Sequence, residues 1–186
     1  PGLGMDIDVF DDRGFPTRKT GELVCKSPFP SKPIYFWNDR NNKKYQSAYF
    51  TKYINIWSHG DFVKKTDNGG YRVFGRSDAT LNPGGVRIGT AEIYNILNSI
   101  SFISDSLAVG YKDKNDEKII LFLKSNHKIN ITTRQITDIK KLIKKQLSPR
   151  HVPWKCFQVN DIPRTKSGKN SEIIVKKILN NDRVVN

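Results

Sequence analysis

The stretch Gly75-Arg76-Ser77-Asp78-Ala79-Thr80-Leu81-Asn82-Pro83-Gly84-Gly85-Val86-Arg87-Ile88-Gly89-Thr90-Ala91-Glu92-Ile93 divides the chain into two textures. Before it come short strands, turns and loops; after it come helical repeats of apolar residues. Gly75 closes an apolar run that starts at Tyr71, so Arg76 stands at the end of a strand. Leu81 to Ile88 reads as a small hairpin turning at Pro83-Gly84-Gly85, because two glycines supply the positive backbone angles a tight turn needs. Ile93, Leu97 and Ile100 then recur at helical spacing and predict a helix with one apolar stripe. The expected fold class is α+β, with a β-rich segment over residues 1–78 and a small α+β domain over residues 79–186. The second domain should hold a short antiparallel or mixed sheet and three helices.

Towards the N-terminus, Met5 to Phe10 alternates apolar and acidic residues and ends at Asp11-Asp12-Arg13-Gly14, a strand followed by a turn. Gly21 to Cys25 is a second short strand. Ser27 to Asn42 holds several prolines and the run Tyr35-Phe36-Trp37, which predicts a long ordered loop, part of which packs on a neighbouring surface. Ile56 to Val63 and Tyr71 to Gly75 flank Asp67-Asn68-Gly69-Gly70, the pattern of a β-hairpin. No amphipathic helix is expected before Asp78.

Towards the C-terminus, Ser106 to Tyr111 and Lys118 to Lys124 read as strands joined by a turn over Lys112 to Glu117. Thr132 and Gln135 match a capping box, and Ile136, Ile139, Ile143 and Leu147 carry the apolar stripe of the helix they open. Pro149 and Pro153 end it. Lys155 to Val159 predicts a third strand and Glu172 to Leu179 a last helix.

The chain has 186 residues, of which 37% are hydrophobic, enough for a packed core. No apolar run approaches the roughly 20 residues of a membrane helix, and the start lacks a basic-then-apolar leader. The expectation is a soluble, cytoplasmic protein with no membrane partner, preceded in its native chain by further residues. Cys25 and Cys156 lie in apolar strands without CxxC or Cys/His spacing, so reduced, buried thiols are expected and no metal site. The net charge of +14 is unevenly spread. Residues 1–78 hold 13 Lys and Arg against 9 Asp and Glu, whereas residues 79–186 hold 19 against 9. The second part should therefore attract polyanions, whether a polyphosphate ligand or nucleic acid, unless its lysines merely solvate a surface.

Several side chains carry suggestive chemistry, each with an ordinary alternative. Asp61, after Gly60 at the mouth of a hairpin, could accept hydrogen bonds from vicinal hydroxyls or simply bond its own turn. Arg76 and Arg87 have guanidinium forks that suit phosphate or carboxylate, and equally suit a surface ion pair. Gly84 and Gly85 allow either a turn or close approach of backbone to a ligand. Asp78, where the texture changes, is a candidate hinge or an ordinary loop residue. Pro163-Arg164-Thr165-Lys166-Ser167-Gly168-Lys169 is basic and contains glycine, but it fails the phosphate-loop template because Asn170 follows the lysine. A flexible loop offering Lys169 as a point charge fits better, and a solvated basic loop is its plain alternative.

Taken together, His59-Gly60-Asp61, Gly75-Arg76-Ser77-Asp78, Gly85-Val86-Arg87-Ile88 and Pro163 to Lys169 resemble, in order, the C-terminal third of the acyl-adenylate-forming enzymes, and within them the acyl-coenzyme A synthetases. Gly21-Glu22-Leu23-Val24-Cys25, Phe36-Trp37-Asn38-Asp39, Thr80 to Gly89 and Arg150-His151-Val152-Pro153 resemble the branch that acts on acetoacetate. The resemblance implies a ligase that joins a carboxylate to ATP as an acyl-adenylate, then passes the acyl group to coenzyme A. It implies ATP with Mg2+, coenzyme A as co-substrate and acetoacetate as acid. By it, Asp61 binds the ribose hydroxyls, Arg76 and Arg87 contact ATP or AMP, and Asp78 is the hinge. Gly84 and Gly85 line the coenzyme A tunnel, and Lys169 is the catalytic lysine of adenylation; the basic helix Lys140 to Lys145 could in addition meet the phosphates of coenzyme A, with Lys144 the candidate, or its lysines simply solvate a surface. Residues 1–78 would then be the end of a large N-terminal domain and residues 79–186 its mobile lid.

His59 stands where many relatives have threonine, and Ala79 where others have a second acid. The sequence contains no Ser/Thr/Gly-rich phosphate loop and no acyl pocket, so the expected partner is the N-terminal domain of the same chain, and the fragment alone should be inactive. Two readings stay open beside this one: another short-chain acyl-coenzyme A synthetase, and a basic nucleic-acid-binding module. Against the second, the aromatic residues cluster in the less charged part and no nucleic-acid motif occurs, so no nucleic-acid partner is expected. A non-catalytic regulatory fragment differs from the enzyme reading only by the absent N-terminal part.

Overall fold

The computed structural model describes residues 1–126 and 130–184. The chain divides into two compact units, Pro1–Ser77 and Asp78–Asn186. In the first, strands β1 (Ile7–Phe10), β2 (Gly21–Cys25), β3 (Trp57–Lys65) and β4 (Tyr71–Arg76) form an antiparallel sheet in sequence order. The β3–β4 hairpin turns as its Asn-Gly-Gly signal predicts, with Gly69 at φ 81° and the Thr66 amide donating to Gly70 O at 2.8 Å. Two small apolar clusters support the sheet. Phe10, Val24 and Tyr53 form one, and Cys25, Phe29, Tyr45 and Trp57 the other.

The second cluster corrects the expectation that no amphipathic helix precedes Asp78. Helix α1 (Lys43–Tyr49) follows the proline-rich loop, and its Tyr45 and Tyr49, four residues apart, pack on Trp57. Seven residues are too few to show a periodic stripe, and so short a helix is held by packing rather than by propensity. Asp39 assists by accepting the Lys44 and Tyr45 amides, each at 2.8 Å. Of the Tyr35-Phe36-Trp37 run, only Phe36 joins this cluster, while Tyr35 and Trp37 remain exposed.

In the second unit, β5 (Ile103–Asp113) and β6 (Asp116–Ser125) form an antiparallel hairpin, and β7 (Lys155–Gln158) runs parallel to β6. The hairpin is longer than its apolar pattern suggested because Lys112 to Glu117 is polar yet still paired, turning at Lys114 with φ 53°. A parallel neighbour requires a crossover, and α3 (Thr133–Gln146) supplies it. Its capping box forms as expected: the Gln135 amide donates to Thr132 Oγ1, and the Thr132 amide to Gln135 Oε1. Helix α2 (Thr90–Leu97) and α3 cover one face of the sheet, burying Ile93, Leu97, Ile139 and Ile143 against Ala108, Leu121 and Leu123. Helix α4 (Glu172–Leu179) lies over the other face, where Val175 and Leu179 meet Leu107, Val109 and Ile120. Both faces are covered, which explains why β5 and β6 read as continuous apolar runs. Leu81 and Ile88, paired as an antiparallel bridge, are fully buried in the same core and anchor the Pro83–Gly85 turn to it.

Both cysteines are free; Cys25 is buried and Cys156 partly so. Burial pushes the Cys156 thiol up, which keeps it protonated and unreactive. No helix among the described residues is long and apolar enough to cross a membrane.

Candidate functional site

Asp61 and Arg76 belong to the first unit and face each other as Cα partners across β3 and β4. Gly60 makes the pairing possible: at φ 85° it bends β3, and a Cβ there would meet Arg76 Nη2 at 3.3 Å, so the guanidinium lies across the glycine. The Gly60 amide donates to Glu22 Oε1 at 2.9 Å. Glu22 is buried and its other oxygen accepts from Lys52 Nζ at 2.8 Å. Sequence reasoning missed this carboxylate, which supports the bend beneath Asp61. Its only signal was an acid inside the apolar strand Gly21–Cys25. His59 Nε2 stands 3.7 Å from Asp61 Oδ2, while Trp57 Nε1 donates to His59 Nδ1 at 3.3 Å. That donation places the proton of a neutral imidazole on Nε2, on the side of the carboxylate.

The remaining candidates belong to the second unit. Asp78 is exposed in the short 3-10 turn Ser77–Ala79. Its charge reaches Glu172 at the start of α4, a carboxyl held above its ordinary value by burial first and by Asp78 as well. Tyr94 of α2 donates to Glu172 Oε1 and accepts the Ala108 amide at 3.0 Å. Burial raises the Tyr94 hydroxyl far above its usual range, so it stays a donor.

Gly84 and Gly85 occupy the exposed Pro83–Gly85 turn with φ of 59° and 74°. Around Gly85 a Cβ would meet nothing within 4 Å, so its surface is open. Gly84 is held instead: its amide donates to Asp116 Oδ1 at 2.7 Å and its carbonyl accepts from Arg150 Nη1 at 2.9 Å. The Asn82 amide donates to Glu117 Oε1 at 2.7 Å. Glu117 reaches the turn by lying across Gly110 of β5, where a Cβ would come within 2.1 Å of its carboxyl carbon. Arg87 follows, half-buried, next to buried Ile88. Lys144 is exposed in the last turn of α3, off the stripe of buried Ile139 and Ile143.

Lys169 is exposed at the base of a closed turn rather than on a loose loop. The Thr165 amide donates to Lys169 O at 2.8 Å and the Lys169 amide to Thr165 Oγ1 at 3.2 Å. Gly168 takes φ 81°, its carbonyl accepting from Arg164 Nη1 at 2.7 Å. Arg164 also pairs with Asp105, and Asn170 donates to Ser106 O at 3.2 Å, so the turn is fastened to β5 on both sides. The backbone of Lys169 is fixed, and among the described residues no carboxylate pairs with its ammonium. Such an arrangement presents one mobile positive charge from a rigid mount. No three His, Cys, Asp or Glu side chains converge as a metal site among the described residues.

No family model matches the chain. Two curated relatives nevertheless align with at least 95% of it at 46–47% identity, and a solved structure superposes with a TM-score of 0.89. The chain belongs to the acyl-CoA synthetase superfamily and corresponds to the C-terminal part of its members. The relatives are the acetoacetyl-coenzyme A synthetase of Rhizobium meliloti, 47% identical over 100% of this chain, and that of Xenopus tropicalis, 46% identical over 95%. The structure is acetoacetyl-CoA synthetase from Streptomyces lividans, 38% identical over 96% of this chain. The chain spans 29% and 27% of the two relatives and 27% of the solved chain.

Proposed function

We propose that this chain is the C-terminal part of an ATP-dependent ligase that converts acetoacetate, ATP and coenzyme A into acetoacetyl-coenzyme A, AMP and diphosphate through an acyl-adenylate. The observation that carries the reading is 47% identity over the entire chain to a relative of that name. The facing pair Asp61 and Arg76 suits a nucleotide, with the carboxylate accepting from both ribose hydroxyls and the guanidinium beside the phosphates. Arg87 adds a second fork to the phosphates. Mg2+ enters on the ATP phosphates.

Lys169 acts in the first step. As the carboxylate attacks the α-phosphate, negative charge concentrates on the oxygens of both groups, and an ammonium on a fixed backbone can bridge them. In the second step the coenzyme A thiol attacks the acyl carbon and AMP leaves. Gly84 and Gly85 then serve as the wall along which the thiol arm passes, since a bare backbone leaves it room. Lys144 lies on the basic α3 and suits a coenzyme A phosphate. One lysine and one thiol arm cannot fill the same space, so the second unit turns about Asp78 between steps. The isolated chain forms no adenylate, for the acyl pocket and phosphate loop belong to the partner N-terminal domain.

The test is the full-length enzyme assayed with acetoacetate, acetate and butyrate. Thioester formation with acetoacetate at the highest kcat/KM is expected, and preference for acetate or butyrate would move the assignment to another short-chain ligase. Lys169→Ala should lower adenylation at least about 100-fold while sparing thioester formation from supplied adenylate. Equal loss in both half-reactions would remove the role given to Lys169.

A further inference from the structure

The Pro83–Gly85 turn is gripped by charged side chains from two separate elements. Asp116, at the start of β6, takes the amide of Gly84. Arg150, in the 3-10 turn Pro149–His151 after α3, takes its carbonyl. The two bonds fix the peptides on either side of one glycine, and hence both its dihedral angles. Each arm is itself braced. Asp116 Oδ1 also accepts the Glu117 amide at 2.8 Å, and its Oδ2 pairs with Lys118 at 3.3 Å. The Gly84 bond, then the Glu117 bond, hold the Asp116 carboxyl below its ordinary value, so it is a charged acceptor at neutral pH. Arg150 rides on a turn capped by Ser148, whose Oγ accepts the Arg150 amide at 3.3 Å and meets His151 Nδ1 at 2.8 Å.

A two-glycine turn needs such bracing. Glycine loses more conformational freedom than any other residue on being fixed, and two in sequence at positive φ could swing between several turn types. A Cβ on Gly85 would meet nothing within 4 Å, and the turn's own backbone bonds, from the Gly85 amide to Asn82 O at 3.4 Å and from the Val86 amide to Pro83 O at 3.3 Å, are long and choose only weakly among them. Charge-assisted bonds on its neighbour supply the choice, and they leave the Gly85 side open.

We infer that Arg150 and Asp116 are positioning residues for thioester formation, acting by locking Gly84 so that Gly85 presents its open backbone to the thiol arm. The inference rests on the reading of Gly85 as the wall of that path. It places no group of Arg150 or Asp116 on the substrate. The lock is purely a matter of backbone geometry, and the adenylation step does not depend on it.

The experiment uses the full-length enzyme and measures both half-reactions for Gly85→Leu, Arg150→Ala, Arg150→Lys and Asp116→Ala. Gly85→Leu tests the underlying reading, and should block thioester formation while sparing adenylation; no effect would sink that reading and the inference with it. If Gly85→Leu does block, Arg150→Ala and Asp116→Ala should each slow thioester formation about 10- to 100-fold, with adenylation within a factor of about two and thermal midpoints preserved. Arg150→Lys, which keeps a donor, should recover most of the loss. Unchanged thioester formation in either alanine variant overturns the inference, as does equal loss in both half-reactions. An effect of Arg150→Ala confined to KM for coenzyme A, with Asp116→Ala silent, overturns it in favour of direct contact between Arg150 and coenzyme A.

Discussion

Glu172 combines two opposed demands in one carboxyl. Its half-buried position raises the proton affinity of the folded form above the ordinary value of 4.5, although the Tyr94 and Thr90 hydrogen bonds favour the ion. A carboxyl whose folded value is raised stabilises the fold fully below the unfolded value, and that contribution is lost as pH rises through the folded value. Glu172→Gln keeps an acceptor for Tyr94 and removes the titration. The variant should therefore match the parent below about pH 4.5 and melt higher than the parent above the folded value. Thermal midpoints measured across that range check this; parallel curves for the two proteins would show that Glu172 carries no net penalty. Legibility at this scale was uneven. Asp61, Arg76 and Lys169 stand out as charged residues directly after a glycine, the first two on strands and the third in a turn, whereas Glu22 and Glu172 were invisible as supports. Their roles depend on partners 38 and 78 residues away, Gly60 and Tyr94, a pairing that only the folded chain makes.

Helix α3 shows how far pattern alone can go. Its capping box and its stripe fixed both start and orientation, because the signals are local and reinforce one another. Of the four stripe residues, Ile139 and Ile143 are the fully buried ones. Ile143→Ala should cost about 2–5 kcal/mol and Thr132→Ala about 1 kcal/mol. Chemical denaturation of the variants would measure both, and a cost for Ile143→Ala no larger than that for Thr132→Ala would mean that α3 packs loosely. Helix α1 is the opposite case, too short for a period and defined by the aromatic cluster it meets. The parallel pairing of β7 was likewise beyond local reading, since strand direction follows from the crossover and not from residues 155–158.

At the scale of the whole chain, every member of the two apolar clusters in the second unit comes from residues 81–179. A core drawn entirely from one segment can form without the other. Residues 78–186 expressed alone should unfold in one cooperative transition, seen by circular dichroism and denaturant titration. A gradual, non-cooperative melt would show that this core needs residues outside the segment. The change of texture at Asp78 was plain in sequence, because helical and strand periods differ. The +14 charge was the least informative large signal: it is consistent with phosphate-bearing ligands, yet exposed lysines with no proposed role, such as Lys141 and Lys145, contribute to it as well.

Gly110 carries a consequence for how variation in this chain would be read. It lies inside a strand, far in sequence from every residue proposed to touch substrate, and its lack of a side chain is what gives Glu117 its berth against the Asn82 amide. A methyl group there would displace the end of a flexible acid, whose other oxygen pairs with Lys176 of α4 at 3.0 Å, so the fold would tolerate it at a modest cost in stability. The lesion would surface instead as a poorly supported turn 25 residues upstream and, under the role proposed for that turn, as an apparently unconnected defect in thioester formation by the full-length enzyme.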